Sequence, residues 1–60
     1  MTRRRVLVVD DERPARDLVC SMLRRHPALE VVGEAADGPD AVDQVLAVDP
    51  DLVFLDVQMP

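Results

Sequence analysis

Three aspartates stand directly after two apolar runs of the sequence. Asp10 and Asp11 follow the run at residues 6–9, and Asp56 follows the run at residues 52–55. Each run has the length and residue type of a strand buried in a parallel sheet. Because parallel strands end at the same edge of a sheet, the three carboxylates are predicted to converge if the two strands are neighbours.

A cluster of this kind is suited to metal-assisted phosphoryl chemistry. Two carboxylates about 4 Å apart repel by about 4 kcal/mol at an effective dielectric constant of about 20. A magnesium ion would remove this penalty, since it prefers oxygen ligands, and it could also hold a phosphoryl oxygen. Asp56 stands alone and is the candidate nucleophile, whereas Asp10 and Asp11 resemble a ligand pair. The structural alternative is that Asp10 or Asp11 merely caps the following helix or turn.

The elements that position these aspartates alternate along the chain. Apolar runs predict strands at 4–9, 29–36 and 51–55. Helices are predicted between the strands because prolines mark the ends of helices. The first helix begins at Pro14 and ends before Pro27. The second begins at the turn 37–39 and ends before Pro50.

Each predicted helix carries an apolar stripe that should face the sheet. On the first helix Cys20 lies off this stripe and is therefore expected to be incidental, while Met22 is expected to pack in the core. The stripes consist of Ala15, Leu18, Val19, Met22 and Leu23 on the first helix, and of Ala41, Val42, Val45 and Leu46 on the second.

The order β-α-β-α-β requires a parallel sheet with right-handed crossovers. Two strand orders remain open: strand one at an edge, or strand one in the centre with order 2-1-3. The second order makes a switch point between strands one and three, where Asp10, Asp11 and Asp56 would all lie. We therefore predict an α/β, flavodoxin-like, doubly wound parallel sheet with order 2-1-3.

Composition narrows the function classes. The chain has 60 residues, one cysteine and a net charge of −5, which predicts a single domain without an internal disulfide and argues against direct nucleic-acid binding. The apolar run after Arg3, Arg4 and Arg5 is too short for a signal peptide. No apolar segment of the sequence is long enough to span a membrane. A cytoplasmic protein is expected. His26 is expected to be a cation at a helix end.

Three segments together resemble the receiver domain of two-component response regulators. They are VVDDE at 8–12, GEAADG at 33–38 and DLVFLDVQMP at 51–60, in the order and approximate spacing of that family. The resemblance implies that Asp56 is the phosphoacceptor, with a sensor histidine kinase as phosphodonor. It also implies that Mg²⁺ is bound directly by Asp11, through water by Asp10, and by the backbone carbonyl of Gln58, whose side chain would tune the lifetime of the phosphoryl group.

The resemblance covers only the amino-terminal half of such a domain, so residues 1–60 are interpreted as a partial receiver. The second half of the family's fold, which supplies a hydroxyl residue, a lysine, an aromatic switch residue and the output surface, is not among these residues. Segment 12–16 and Gln58 most resemble receivers joined to LytTR-type DNA-binding domains, which implies a transcriptional output domain outside this sequence. With its neighbours absent, strand three should be exposed and prone to self-association.

Two other interpretations stay open. One is a Mg²⁺-dependent phosphohydrolase of Rossmann-like fold, although such enzymes usually need an Asp-x-Asp arrangement that Asp10 and Asp11 do not give. The other is an interaction fragment without chemistry. The receiver interpretation predicts no enzyme activity beyond self-phosphorylation and self-dephosphorylation, both of them weakened because the lysine that neutralises phosphoryl charge lies in the second half.

Overall fold

Strands and helices alternate in the computed structural model, which describes residues 2–55. The predicted sequence of elements is confirmed, with boundaries within one residue of the expected ones at most ends. The elements are β1 (Arg4–Val9), α1 (Arg13–Arg24), β2 (Leu29–Ala35), α2 (Gly38–Val48) and β3 (Leu52–Leu55).

The three strands form one parallel sheet in the order β2-β1-β3. This confirms the predicted order 2-1-3 and rules out the arrangement with strand one at an edge. In the β1–β3 ladder Val6 pairs with Leu52 and Val9 pairs with Leu55. Since Val9 also pairs with Ala35 of β2, the ends of all three strands lie at the same edge of the sheet.

The core lies on both faces of β1. Val6 and Val8 pack with Cys20 of α1 on one face, while Leu7 and Val9 pack with Ala35 on the other face, next to Ala41 of α2. Alternate residues of a strand point to opposite sides, so the two helices cover opposite faces of the sheet. This is the doubly wound arrangement that the sequence predicts.

Local chemistry explains the helix boundaries. Pro14 lies in the first turn of α1, where its missing N–H is not needed. The side chain of Asp37 caps α2 by accepting the N–H of Asp40 at 2.8 Å. At the other end of α2, Asp49 adopts a left-handed conformation with φ of 46°, which aspartate tolerates better than most residues, and Pro50 follows.

The predicted orientation of α1 is wrong. Leu18 is 62% exposed and Met22 is 56% exposed, whereas Cys20, expected to be incidental, is 1% exposed. Val19 and Leu23 do pack against the core. At about 100° per residue, the buried side of α1 is rotated by roughly one residue from the centre of the apolar stripe, because the helix lies over β1 and β2 and contacts them with one flank of the stripe.

The same correction applies to α2. Only Ala41 of the four predicted core residues packs against the buried cluster, while Val42, Val45 and Leu46 are exposed. The half-buried positions of this helix are Asp40, Ala41, Gln44 and Val48, and the last three share one face at i, i+3 and i+7. Both helices therefore leave a large part of their apolar surface uncovered.

Gly33 allows α2 to approach β2 closely. The β1–β2 register shifts between Val6 and Leu7, so that Leu7 pairs with Gly33. A Cβ atom at Gly33 would lie 2.9 Å from Gln44 Oε1 and 3.2 Å from Leu7 Cδ1. A side chain at this position would therefore require the end of Gln44 to move and Leu7 to shift by a few tenths of an ångström.

The outer edge of β3 is open within the part of the chain that the structure describes. Its four residues, Leu52–Leu55, are all exposed, although the paired residues of β1 are buried. This agrees with the sequence-based expectation that strand three lacks a covering layer.

Candidate functional site

Asp10 lies at the carboxyl end of β1 and is 4% exposed. Its backbone N–H donates to the carbonyl of Ala35 at 3.0 Å, and its Oδ1 accepts the N–H of Glu12 at 2.9 Å. Its Oδ2 is also buried, and it has no hydrogen-bond partner among residues 2–55. The contact with Glu12 confirms that Asp10 stabilises the turn before α1, as the structural alternative requires, but that role uses only one of the two carboxylate oxygens.

Asp11 follows directly and is exposed in the bend between β1 and α1. Its carboxylate therefore stands at the same end of β1 as Asp10, in the acidic segment 10–12. The structure places these two predicted ligands together, as the sequence pattern requires.

The third strand reaches the same edge. Leu55 pairs with Val9, the residue before Asp10, so the described part of β3 ends beside the aspartate pair. Asp56, predicted as nucleophile, and Gln58, predicted as a carbonyl ligand, lie outside the described residues. Their predicted roles therefore stay predictions.

The described residues form part of a magnesium site rather than a whole one. No group of three or more His, Cys, Asp or Glu residues that could hold a metal ion occurs within residues 2–55. The donors that are present nevertheless fit Mg²⁺, which prefers carboxylate oxygens and typically takes only one or two of them. The buried and unpartnered Oδ2 of Asp10 is an oxygen of this kind, and a bound cation would compensate for its burial.

Arg16 belongs to the same site, although the pattern of acidic residues gave no reason to select it. Its Nη1 donates to the backbone carbonyl of Asp10 at 2.8 Å, and its Nε donates to Glu34 Oε1 at 3.1 Å. Arg16 and Cys20, four residues apart, lie on one side of α1, but this spacing could not indicate Arg16 because Cys20 itself was expected to lie off the buried side.

Cys20 lies on that same buried side of α1. Burial raises the pKa of its thiol, and the nearby carboxylate of Glu34 raises the pKa further. A thiol in this environment stays protonated and unreactive, so Cys20 acts in packing rather than in chemistry.

Neither helix of residues 2–55 has the length and apolar character that crossing a lipid bilayer requires.

Comparison with known proteins gives concordant results. The family model for the response regulator receiver domain matches residues 6–60. A protein-glutamate methylesterase/protein-glutamine glutaminase of Geobacter sulfurreducens is 50% identical over 56 residues, which are 93% of this chain and 16% of that protein. An uncharacterized response regulatory protein of Yersinia pestis is 41% identical over 56 residues, 24% of its own length.

The fold has a solved counterpart. A chain in the crystal structure of the P1 domain of CheA3 in complex with CheY6 from R. sphaeroides superposes with a TM-score of 0.90 and 34% identity, and the match covers all of this chain and 47% of that one. The 60 residues thus span less than half of this solved chain and less than a quarter of the two curated relatives. The family match covers nearly the whole sequence, and the fold and the acidic pair agree with it, so the chain belongs to the response regulator receiver domain family.

Proposed function

We propose that this chain is the phosphoacceptor part of a receiver domain, in which Asp56 accepts a phosphoryl group from a phosphohistidine of a sensor histidine kinase. The observation that carries this proposal is the buried Oδ2 of Asp10, which has no hydrogen-bond partner within residues 2–55. Asp10 follows Val9, the partner of the last described residue of β3. Asp56 is the next residue after that strand in the sequence.

In this proposal Mg²⁺ is held by Asp10, Asp11, Asp56 and the backbone carbonyl of Gln58. Asp11, being exposed, is free to contact the ion directly, and Asp10 is placed to act from the buried side. When bound, the ion neutralises charge on the phosphoryl oxygens and on the carboxylates. The role of the protein is to hold these oxygens in place before the phosphodonor arrives.

The proposed reaction is a transfer between two side chains. A carboxylate oxygen of Asp56 forms a bond to phosphorus while the bond from phosphorus to the histidine nitrogen breaks. The histidine leaves with its electron pair and takes up a proton. The chain then carries an aspartyl phosphate and performs no further turnover beyond its own dephosphorylation, so we do not propose it as an enzyme acting on a separate substrate.

A phosphotransfer assay tests this proposal. The protein is incubated with the radiolabelled phosphohistidine domain of a histidine kinase, with and without Mg²⁺, and labelled protein is followed by electrophoresis. We expect label that depends on Mg²⁺ and is lost in Asp56→Asn. Asp43→Asn, on the exposed side of α2, is the matched control and should keep the label.

Other outcomes would identify a different function. Continuous hydrolysis of a small phosphate ester such as p-nitrophenyl phosphate, without a stable labelled protein, would contradict the proposal and support a phosphohydrolase. No label with any donor, and no response to Mg²⁺, would contradict it in favour of an interaction fragment.

For the output we infer an effector of the kind that the relatives carry. The relative from Caulobacter vibrioides, 47% identical over all 60 residues and matched over 17% of its length, is also a protein-glutamate methylesterase/protein-glutamine glutaminase. These names favour a methylesterase output, and neither of the methylesterase names indicates the LytTR-type DNA-binding output. Reading the coding sequence beyond residue 60 distinguishes the two.

A further inference from the structure

Arg16 connects three elements of the fold at the acidic site. Its side chain is 16% exposed and extends from the first half of α1 to the backbone carbonyl of Asp10, 2.8 Å from Nη1. The same guanidinium group contacts Glu34 of β2, with 3.1 Å between Nε and Oε1. A planar guanidinium holds two acceptors in a fixed relation through its rigid set of N–H donors, whereas the rotatable donors of an ammonium group fix that relation less well.

With this contact, every polar atom of Asp10 but one has a hydrogen-bond partner among the described residues 2–55. Its N–H donates to Ala35, its carbonyl accepts from Arg16, and its Oδ1 accepts from Glu12. The exception is Oδ2, the atom that the proposed magnesium site uses. The backbone of Asp10 is therefore held from both sides, and its free oxygen has a fixed direction.

Glu34 in turn holds Arg16 in place. It lies on β2, paired with Val8 of β1, and is one residue before Ala35, whose carbonyl binds the N–H of Asp10. The sheet therefore fixes the distance between the carboxylate of Glu34 and the end of β1. Arg16 spans that distance, so a change at Glu34 should be transmitted to Asp10.

We propose that Arg16 is a positioning residue for Mg²⁺ binding: anchored by Glu34, it holds the carbonyl of Asp10 and so directs the carboxylates of Asp10 and Asp11 toward the ion. This inference rests on the proposed function of the site. Arg16 itself contacts neither the ion nor the phosphoryl group in this proposal. Outer groups that orient metal ligands typically change metal affinity by about 10–100-fold when they are removed.

Electrostatics alone predicts the opposite effect. Arg16 is a cation close to a cation site, so deleting its charge should strengthen Mg²⁺ binding if charge were its only contribution. Arg13 provides the matched control, because it lies in the first turn of the same helix, carries the same charge and has a side chain that is 81% exposed, 3.8 Å from Asp17. A positioning role and a charge effect therefore differ in the sign of the change.

The experiment measures the Mg²⁺ dissociation constant of the full-length protein by calorimetry, together with amide NMR shifts. We expect Arg16→Gln to weaken Mg²⁺ binding by about tenfold or more, while Arg13→Gln leaves it unchanged or slightly stronger. Arg16→Lys should give an intermediate constant, since it keeps the charge but loses the two-acceptor geometry. In metal-free buffer, Arg16→Gln should also shift the carbonyl carbon resonance of Asp10, and Arg13→Gln should not.

Equal dissociation constants in Arg16→Gln and Arg13→Gln, with wild-type protein that binds Mg²⁺, would overturn this inference and leave the proposed function standing. Wild-type protein that does not bind Mg²⁺ would overturn the proposed function and this inference with it. If Arg16→Gln does not fold, Glu34→Gln carries the test, because it leaves Arg16 in place and removes its charged anchor. A folded Glu34→Gln variant with the wild-type constant then overturns the positioning role.

Discussion

Asp10 accepts the backbone N–H of Glu12 through Oδ1 at 2.9 Å, and its Oδ2 is left buried without a hydrogen-bond partner among residues 2–55. A buried carboxylate oxygen without a donor is unfavourable unless a cation or a proton compensates. Asp11 and Glu12 follow immediately in the sequence, so further negative charge adds to this cost. The metal-free protein therefore keeps Asp10 at the expense of stability, as functional sites commonly do.

Replacing Asp10 by asparagine should separate function from stability. Asparagine keeps the oxygen that accepts the N–H of Glu12, and it removes one of several neighbouring negative charges. We therefore expect the free energy of unfolding of the metal-free protein to stay equal or rise by about 1 kcal/mol. Mg²⁺ should stabilise the wild type and have little effect on Asp10→Asn. Urea unfolding with and without Mg²⁺ measures both effects, with Asp43→Asn as control. A loss of metal-free stability in Asp10→Asn would show that the carboxylate is structural.

A double-mutant cycle tests the close approach of Gly33 to Gln44. Because the new Cβ would lie 2.9 Å from Gln44 Oε1 and 3.2 Å from Leu7 Cδ1, Gly33→Ala is expected to destabilise the fold by about 1 kcal/mol. Shortening the partner in Gln44→Ala removes the nearer contact, so Gly33→Ala should cost clearly less in that background. Denaturant unfolding of the four proteins gives the coupling energy. If Gly33→Ala lowers the free energy of unfolding equally in both backgrounds, the side chain of Gln44 is not the source of the strain.

The central strand and the exposed side of α2 should differ sharply in how much stability they lose when a leucine side chain is shortened. Leu7 is fully buried in the central strand, so Leu7→Ala should cost about 2–5 kcal/mol, enough to unfold a small domain. Leu46 was expected in the core but is 79% exposed, so Leu46→Ala should change the free energy of unfolding by less than about 0.5 kcal/mol. Thermal unfolding followed by circular dichroism compares the two variants. A comparable loss from Leu46→Ala would show that α2 packs with its predicted stripe after all.

The strands could be predicted from sequence because their signal is dense and short. Residues 6–9 are all apolar, so both faces of this strand need to be covered. A strand with this pattern lies in the centre of the sheet, where it is buried. The aspartates at the strand ends then fixed the strand order, since only order 2-1-3 brings the ends of β1 and β3 together.

The helix faces could not be predicted from the same sequence. On α1 the apolar stripe is wider than the surface that β1 and β2 offer, so periodicity could not show which flank of the stripe would be buried. In the structure Cys20 is buried, whereas Leu18 and Met22 are exposed. The contacts of Arg16 depend on the distance between Asp10 and Glu34, which are far apart in sequence. Contacts of this kind follow from tertiary structure and leave no local pattern.

The raised pKa of Cys20 makes a prediction about pH. Burial, and then Glu34, raise the thiol pKa above its ordinary value of 9.0, so at alkaline pH the unfolded chain loses this proton before the folded chain does. The contribution of this protonated thiol to the free energy of unfolding is therefore complete below pH 9.0. It is lost as the pH rises through the thiol pKa of the folded protein. Unfolding midpoints in urea across this range should fall for the wild type and fall less for Cys20→Ala.

Alkylation of Cys20 gives an independent measurement. Iodoacetamide should react more slowly with the folded protein than with the protein in urea, and the difference should persist at alkaline pH because the folded thiol stays protonated. A fast reaction of the folded protein would contradict the burial of Cys20.

The open edge of β3 predicts association of the 60-residue chain. Its residues are exposed on both faces, and the strand lies at the edge of the sheet in the described residues, where unpaired backbone groups can bind a second strand. We expect the sedimentation coefficient of the isolated chain to increase with concentration. Val53→Lys should weaken this association by about tenfold or more, because burying one valine contributes about 1.5–3 kcal/mol.

Leu46→Lys distinguishes pairing at the edge of β3 from non-specific association through exposed apolar surface. Leu46 is more exposed than Val53 but lies on α2, away from the strand edge, so its replacement removes apolar surface and adds the same charge without blocking the edge. If β3 is the contact, Val53→Lys shifts the chain toward monomer and Leu46→Lys leaves association nearly unchanged. If both variants reduce association equally, burial of exposed apolar surface in general drives it, and pairing at the edge of β3 is not the specific contact.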